Sequence, residues 1–359
     1  MKQPHQIDAL FQVLVSEGGS DLHLGEGEYP KYRKNGDIQP IPNTEILTHA
    51  SLSALLEEIC PPPYWQKYLK TGDLDFAYEM DEESRFRCNY HKHLNGFGAI
   101  FRLIPNRIKT IDELGVPKIL ETLGDIRSGL ILVTGPTGSG KSTTLAAIMD
   151  YINKKYSKHV ITIEEPIEFV HKNQKSVITQ REVPTETPSF ATGLKSALRE
   201  DCDVILVGEM RDLETISLAL TAAETGVLVF GTLHTNNARK TIDRIIDAFP
   251  ADQQELVRTM LSTSLRGVVA QLLFKRADGK GRLAINEILI SNPAVSSIIR
   301  EGATYKLNDV LKTGRADGMQ LMDDGIEYYL KQNIISGTEA YMKSIDKQRF
   351  ASHSGEEKH

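Results

Sequence analysis

Residues 135–143 read GPTGSGKST, a spacing of glycine, lysine and serine that suits the binding of phosphate. The pattern G-x-x-x-x-G-K-[ST] follows the apolar run LILV and precedes the helix-like stretch TTLAAIMDYI, which is the context that this motif requires. The glycines let backbone N–H groups point at phosphate oxygens, and the helix N-terminus adds a partial positive charge. Lys141 can reach the β- and γ-phosphates, and the Ser142 hydroxyl can bind Mg²⁺. The predicted ligands are therefore ATP and Mg²⁺. The predicted nucleotide-binding residues are Gly135, Pro136, Thr137, Gly138, Ser139, Gly140, Lys141, Ser142 and Thr143.

Two strand-like segments end in acidic residues. Glu164 and Glu165 directly follow the run VITI, and Glu209 follows VILVG. Because ligands of parallel α/β sheets bind at the carboxyl ends of the strands, we expect these side chains to lie near the phosphates. One carboxylate could orient or deprotonate the attacking water while the other holds the metal, and the spacing leaves open which does which. We predict catalytic roles for Glu164 and Glu209, and Mg²⁺ binding by Ser142 and, through water, by Glu209.

A histidine stands at the end of a further apolar run, VLVFGTLH. A lone histidine is usually a structural residue, but the end of a strand in this sheet is where ligands bind. We therefore predict that His234 belongs to the catalytic group, either as a sensor of the γ-phosphate or as a ligand of nearby water.

Composition narrows the class of protein. The chain has 359 residues, which suggests two domains at roughly 150 residues each. The 42 Lys and Arg against 48 Asp and Glu give a net charge of −6, an argument against a dedicated nucleic-acid binder. The cysteines, Cys60, Cys88 and Cys202, form no CxxC pair, so neither a zinc site nor a disulfide framework is expected.

Contact with a membrane is expected to be peripheral. The beginning of the chain, MKQPHQIDALFQ, has no long apolar core and no cleavage site of the signal-peptide kind. The longest apolar runs, such as LILV and VILV, are far too short to cross a bilayer.

The pattern of apolar residues divides the chain into regions. Short alternating runs such as SDLHL, DLDFAYEM and RFRCNYH predict a small α+β domain over residues 1–105. A connector with two prolines covers 106–117. Over 118–291, buried runs alternate with helical stretches, which is typical of an α/β domain with a parallel sheet. Residues 292–349 have helical spacing, and 350–359 are predicted to be a disordered tail.

Four segments in a fixed order carry a family resemblance: GPTGSGKST, ITIEEPIEF, ILVGEMRD and GTLHTNNARKTIDR. They resemble the Walker A, Asp box, Walker B and His box of the type II/type IV secretion ATPase superfamily. Within it, the chain looks like the twitching-motility ATPases of type IV pili. GGSDLHL, RFRCNYH, ALRED, LALTAAETG, DAFPADQQ and MLSTSLRGVVAQLL strengthen the match. The resemblance covers about residues 7–345 and is most specific from 129 to 250.

This resemblance implies a PAS-like N-terminal domain, a RecA-like ATPase domain and a homohexameric ring. ATP hydrolysis in such rings moves the N-terminal domain of one subunit against the ATPase domain of its neighbour. The ring lies in the cytoplasm at the inner membrane and acts through a platform protein on pilin, in some cases beside a paralogous ATPase. Arginines of the neighbouring N-terminal domain reach the nucleotide, and Arg85, Arg87 and Arg102 fall at the matching positions.

Some positions depart from the family pattern. Glu165 stands where the Asp box usually has aspartate, Asn95 replaces an arginine, and Cys202 replaces the proline of ALREDPD. Retraction ATPases of the PilT type usually read Ala-Ile-Arg-Asn-Leu-Ile after a proline, whereas Pro293 is followed here by AVSSII. The neighbouring segments DGKGRLAINEIL and GATYKLNDVLKTG look more PilU-like.

The sequence thus favours a hexameric ATPase motor that retracts type IV pili in twitching motility. An accessory retraction role, or an assembly or secretion role, stays as the alternative. Assembly ATPases commonly have a longer N-terminal region and a four-cysteine zinc insert, which this sequence lacks. A nucleic-acid translocase is a remote alternative, since the chain has no aromatic–basic stacking stretch.

Overall fold

The computed structural model describes residues 5–34, 36–81, 84–105 and 107–354. The chain divides into two compact units, Met1–Arg107 and Ile108–His359. The division falls inside the connector that the sequence places at 106–117. That connector contains one short helix, Ile111–Leu114, whose first turn is capped by the Thr110 hydroxyl.

The N-terminal unit is built on an antiparallel sheet with the strand order β3-β2-β1-β6-β5-β4. Its strands are β1 (Asp21–Gly25), β2 (Lys31–Lys34), β3 (Asp37–Pro40), β4 (Asp73–Glu79), β5 (Ser84–His93) and β6 (Gly96–Pro105). Its helices are α1 (Asp8–Ser16), α2 (His49–Ile59) and α3 (Pro62–Thr71). The sequence predicted a hairpin turn at Asn35-Gly36; β2 and β3 do pair as a hairpin, but Asn35 lies outside the described residues.

Alternation along the strands gives this sheet one buried face. On β5, Phe86, Cys88 and Tyr90 are fully buried, while the residues between them are partly exposed. The Phe86 ring stacks on Phe11 of α1, and Phe11 and Tyr90 each contact Phe101 of β6 edge to face. Because successive strand side chains point to opposite faces, the arginines of RFRCNYH lie on the outer face of the sheet.

The C-terminal unit contains a mostly parallel sheet with the order β13-β12-β7-β11-β10-β8-β9. Its strands are β7 (Gly129–Thr134), β8 (His159–Glu164), β9 (Val177–Glu182), β10 (Val204–Val207), β11 (Leu228–Leu233), β12 (Leu265–Lys275) and β13 (Arg282–Ile290). Among the described pairings of this sheet, only β12–β13 is antiparallel. Strands β7, β10 and β11 are buried at every residue, as their continuous apolar runs predict.

Helices cover both sides of this sheet and continue beyond it. They are α4 (Ile111–Leu114), α5 (Ile119–Gly124), α6 (Lys141–Lys155), α7 (Phe190–Ala197), α8 (Leu213–Glu224), α9 (Ala238–Asp247), α10 (Gln254–Ser264), α11 (Pro293–Arg300), α12 (Leu307–Thr313), α13 (Met322–Lys331) and α14 (Gly337–Lys343). Two apolar clusters sandwich the sheet, one containing Leu130 and Leu132 of β7, the other Ile131 and Val133. No helix among the described residues is long and apolar enough to cross a bilayer.

The beginning of the predicted tail differs from the expectation of disorder. Residues Gln348–His353 form a 3-10 helix, and Phe350 is 1% exposed in a cluster with Phe274 and Met322. The aromatic ring provides apolar burial that the polar sequence around it does not suggest. The rest of the predicted tail, 355–359, lies outside the described residues.

Candidate nucleotide site

Four neighbouring parallel strands deliver the predicted site residues to one edge of the sheet. Strand β7 pairs with β11, β11 with β10, and β10 with β8, all in parallel. Strand β7 leads into the P-loop, β11 into His234 and β10 into Glu209, and β8 ends at Glu164. The glycine loop, the two carboxylates and the histidine therefore share the edge where α/β sheets bind their ligands.

The P-loop runs from the end of β7 into the first turn of α6. Gly135 and Ser139 are buried, while the tip of the loop, 136–138, is exposed. Gly140 has φ +86, a left-handed conformation that favours glycine. Lys141 donates from Nζ to the carbonyl oxygens of Gly135, at 2.8 Å, and Pro136, at 3.2 Å. Burial lowers the pKa of Lys141, and the charges of nearby Glu209 and Glu168 oppose that shift.

The N-terminus of α6 offers hydroxyls at the same point. Ser142 and Thr143 are partly exposed, and Ser139 is 3% exposed. The Ser139 Oγ has no hydrogen-bond partner within the part of the chain that the structure describes. Backbone N–H groups of a first helical turn also lack intrahelical partners, so this end of α6 fits an anionic phosphate group.

Glu164 is held as a desolvated carboxyl at the end of β8. Its Oε1 accepts hydrogen bonds from Thr162 Oγ1, at 2.7 Å, and Gln180 Nε2, at 3.2 Å. Burial raises the pKa of Glu164 to about 7, although these two hydrogen bonds act in the opposite direction. The carboxyl therefore exchanges its proton near neutral pH. Its neighbour Glu165 is exposed.

Glu209 is held as an ionised carboxylate at the end of β10. Its Oε1 is 2.8 Å from His234 Nε2, and Arg211 Nη2 donates to its Oε2 at 2.6 Å. Burial alone would raise the pKa of Glu209, but the Arg211 hydrogen bond and the charges of Arg211 and His234 hold it below the usual value. An ionised carboxylate only accepts hydrogen bonds, so His234 Nε2 is the donor.

The sequence prediction did not include Arg211, although it contacts Glu209 directly. It lies two residues after the carboxylate in GEMRD, and its side chain is 65% exposed. The spacing could have indicated this contact, because residues i and i+2 of an extended segment point to the same side. Arg211 therefore helps to lower the pKa of Glu209 and is part of the site.

The three predicted arginines lie in the N-terminal unit, on the outer face of its sheet. Arg87 of β5 is the register partner of Arg102 of β6, and Arg85 is two residues from Arg87 on the same strand. Arg102 Nε donates to Asp21 Oδ1 at 2.8 Å, and its side chain remains 67% exposed. The structure thus brings these arginines together on one face, in a unit other than the one that holds the P-loop.

Fold and site together define a P-loop ATPase with a RecA-like sheet. The family model for Type II/IV secretion system protein matches residues 5–347, so the chain belongs to that family. The type IV pilus retraction ATPase PilT of Pseudomonas aeruginosa is 46% identical over 96% of this chain and 99% of its own length. A twitching motility protein of Neisseria gonorrhoeae is 50% identical over 86% of this chain and 82% of its own length.

A solved structure resembles the chain over nearly its whole length. The crystal structure of the pilus retraction motor PilT with bound ADP covers 97% of this chain and 99% of that one, with 41% identity and a TM-score of 0.89. The predicted fold, an N-terminal domain followed by a RecA-like ATPase domain, is confirmed. The predicted resemblance to the twitching-motility and retraction ATPases is also confirmed, and the chain is a nucleotide-binding ATPase of that kind.

Proposed function

We propose that this chain hydrolyses ATP at the P-loop edge of its C-terminal unit to drive the retraction of type IV pili. One observation carries the proposal. The similarity to a retraction ATPase extends over 96% of the chain, and the P-loop, Glu164, Glu209 and His234 lie at the carboxyl ends of adjacent parallel strands. A protein that only bound nucleotide would not require two carboxyl groups whose pKa values are shifted in opposite directions.

Glu164 is proposed as the general base. A base is most effective when its pKa is near the working pH, and burial brings the Glu164 pKa to about 7. Ionised Glu164 would accept the proton of the attacking water through Oε2, since Oε1 already accepts from Thr162 and Gln180. Glu165, although adjacent in sequence, is exposed and has no comparable environment.

Glu209 and Ser142 are proposed as the residues that hold Mg²⁺, Glu209 through water. The fit rests on donor chemistry, because Mg²⁺ prefers oxygen ligands and retains several waters. The contacts with Arg211 and His234 keep the pKa of Glu209 below its usual value despite burial, and an ionised carboxylate suits a hydrated cation. When bound, Mg²⁺ supplies charge stabilisation at the β- and γ-phosphate oxygens. Lys141 would move from the carbonyls of the loop to the phosphates.

The outer face of the N-terminal sheet is proposed to complete the site of a neighbouring subunit. Arg87 and Arg102 are partly exposed and stand opposite each other, so they present two permanent charges on one surface. A planar guanidinium matches phosphate oxygens well. We propose a homohexamer in which Arg85, Arg87 and Arg102 approach the nucleotide of the adjacent chain.

The proposed location is the cytoplasmic face of the inner membrane, with peripheral contact only. There the ring would act on pilin through a platform protein, in some cells beside a paralogous ATPase. Nucleic acid is not expected among the partners, in line with the net charge of −6.

The test is a deletion in cells that carry the native gene, complemented with wild type or Lys141→Ala. Excess surface pili with lost twitching, restored by wild type alone, is the expected result. Loss of surface pili would instead identify an assembly motor. A Lys141→Ala chain that restores twitching would contradict the site assignment.

An accessory retraction role is the second candidate, and the structure of α11 favours keeping it. In the segment AVSSII, which follows Pro293, the apolar residues Val295, Ile298 and Ile299 are buried. Ser297 is exposed and donates to Glu301 Oε1 at 2.7 Å. The departure from the PilT-type motif therefore falls on the surface and leaves the core of the helix apolar. Unchanged pili after deletion would support this second role.

A further inference from the structure

A buried glutamine lies directly beneath the P-loop. Gln271 of β12 is 1% exposed, and its Nε2 donates to the Ser139 carbonyl at 2.7 Å. Its Oε1 accepts from Thr144 Oγ1, at 2.8 Å, and from Asn286 Nδ2, at 3.0 Å. One amide thus joins the phosphate loop, the first turn of α6 and strand β13.

These three bonds specify the orientation of the amide. The Ser139 carbonyl can only accept, so the NH₂ group must face it. Two donors face the oxygen, and Asn286 and Thr144 are themselves 1% and 2% exposed. A buried polar group that loses its partner costs more free energy than a normal hydrogen bond contributes, so the arrangement resists rotation.

The backbone of the loop closes tightly around the same residue. A Cβ on Gly140 would lie 2.9 Å from Gln271 Nε2, and one on Gly135 would lie 2.3 Å from the Gln271 backbone oxygen. These glycines therefore allow close approach to Gln271, in addition to approach to phosphate. The path of the loop depends on what stands beneath it.

We propose that Gln271 is a positioning residue for the nucleotide. By holding the Ser139 carbonyl inward and the Thr144 side chain in place, it keeps the loop N–H groups and the first turn of α6 directed at the phosphates. Gln271 itself touches no phosphate and acts through Ser139 and Thr144. This inference rests on the proposed assignment of the P-loop as the nucleotide site.

The first test measures ADP binding by calorimetry with the full chain carrying Gln271→Leu. Leucine has a similar size but cannot bond Ser139, so we expect the Kd for ADP to rise about tenfold, roughly 1.4 kcal/mol. The KM for ATP should rise in parallel while kcat changes by less than about threefold, because binding common to ground and transition states is lost.

Asn153→Leu is the matched control. Asn153 is 1% exposed near the other end of α6, where Nδ2 donates to the Lys172 carbonyl at 2.8 Å and Oδ1 accepts from the Gln174 N–H at 3.0 Å. Its replacement removes a comparable buried amide at the opposite end of α6 from the one that Gln271 contacts. We expect a similar loss of thermal stability with a Kd for ADP within about twofold of wild type. Equal weakening of ADP by both variants would overturn the proposal.

Gln271→Glu supplies a readout that a purely structural role would not move. An ionised carboxylate can accept from Thr144 and Asn286 but cannot donate to Ser139, whereas a protonated carboxyl has one O–H to donate. Burial favours the protonated form. ADP affinity relative to wild type should therefore be weak at pH 8.5 and recover by about fivefold or more at pH 6. A ratio that does not change with pH would overturn the proposal, even if Gln271→Leu fails to fold.

Lys141→Ala distinguishes a failure of the positioning role from a failure of the proposed nucleotide site. If Lys141→Ala binds and hydrolyses nucleotide normally, the assignment of the P-loop fails. If Lys141→Ala is inactive but Gln271→Leu binds ADP like wild type, only the positioning role is overturned.

Discussion

A glutamate stands at the end of β8 and another just after β10, and their pKa values are shifted in opposite directions. Glu164 is bonded by a neutral hydroxyl and a neutral amide, and burial raises its pKa to about 7. Glu209 is bonded by a guanidinium and an imidazole, which hold its pKa below the usual value despite burial. The strands are direct neighbours, so the difference comes from the partners of each carboxyl and not from its place in the sheet.

This difference separates two roles that the sequence left open. A carboxyl that exchanges its proton near pH 7 suits proton transfer, and a carboxylate that stays ionised at that pH suits a hydrated cation. Variants that exchange or remove the partners should therefore act differently at the two positions.

The largest effect is expected for Glu164→Gln, which keeps the shape of the side chain but removes the base. We expect kcat for ATP hydrolysis to fall by about 10²–10⁴-fold, the usual contribution of a general base, while ADP still binds. Glu165→Gln is the control, since Glu165 is adjacent but exposed, and its activity should stay within about twofold of wild type. Reversed results for the two variants would assign the base to Glu165.

Glu209→Gln should be the next most damaging variant. It removes the negative charge that Arg211 and His234 stabilise, and with it the proposed attraction for hydrated Mg²⁺. We expect kcat to fall by about 10²-fold and the Mg²⁺ concentration for half-maximal activity to rise. Raising Mg²⁺ should restore part of the activity of Glu209→Gln and none of that of Glu164→Gln. Identical Mg²⁺ curves for the two variants would remove the distinction between the carboxylates.

A smaller effect is expected from Thr162→Val, which acts on Glu164 alone. The Thr162 hydroxyl lowers the Glu164 pKa, so its loss should move that pKa further above about 7. Because the base must be ionised, the acidic limb of the kcat–pH profile should move to higher pH, with full activity kept on the alkaline side. Thr162→Ser retains the hydroxyl and should keep the wild-type profile. An unshifted limb in Thr162→Val would mean that another group titrates there.

Much of this site was predictable because its residues occur in short linear patterns. The P-loop, Glu164, Glu209 and His234 each follow a continuous apolar run, and buried parallel strands bring their carboxyl ends to one edge. The fully buried strands β7, β10 and β11 were predictable for the same reason.

The rest depended on contacts between distant segments. Gln271 lies in the apolar run GVVAQLL, and only the pairing of β12 with β7 places it beneath the P-loop. Strand β9 is a partly exposed edge strand with the polar sequence VITQRE, so its pattern does not indicate a strand of this sheet. Phe350 is surrounded by polar residues in the sequence, and its burial depends on the cluster around Phe274. No local period encodes these contacts.

The smallest expected effect is on stability, and it has opposite signs at the two carboxyls. The folded chain holds the Glu164 proton up to about pH 7, whereas an unfolded glutamate releases it near the ordinary value of 4.5, so rising pH between these values destabilises the fold. The pKa of Glu209 is depressed on folding, so its contribution is present above the ordinary value and lost as pH falls through the folded pKa. At pH 8, Glu164→Gln should therefore raise the free energy of unfolding, by about 1.4 kcal/mol for each unit by which folding raises the Glu164 pKa, and Glu209→Gln should lower it. Urea unfolding at pH 8 and pH 5 measures both. The Glu164→Gln gain should shrink at pH 5, and a gain that is equal at both pH values would show that the carboxyl is not desolvated in the folded chain.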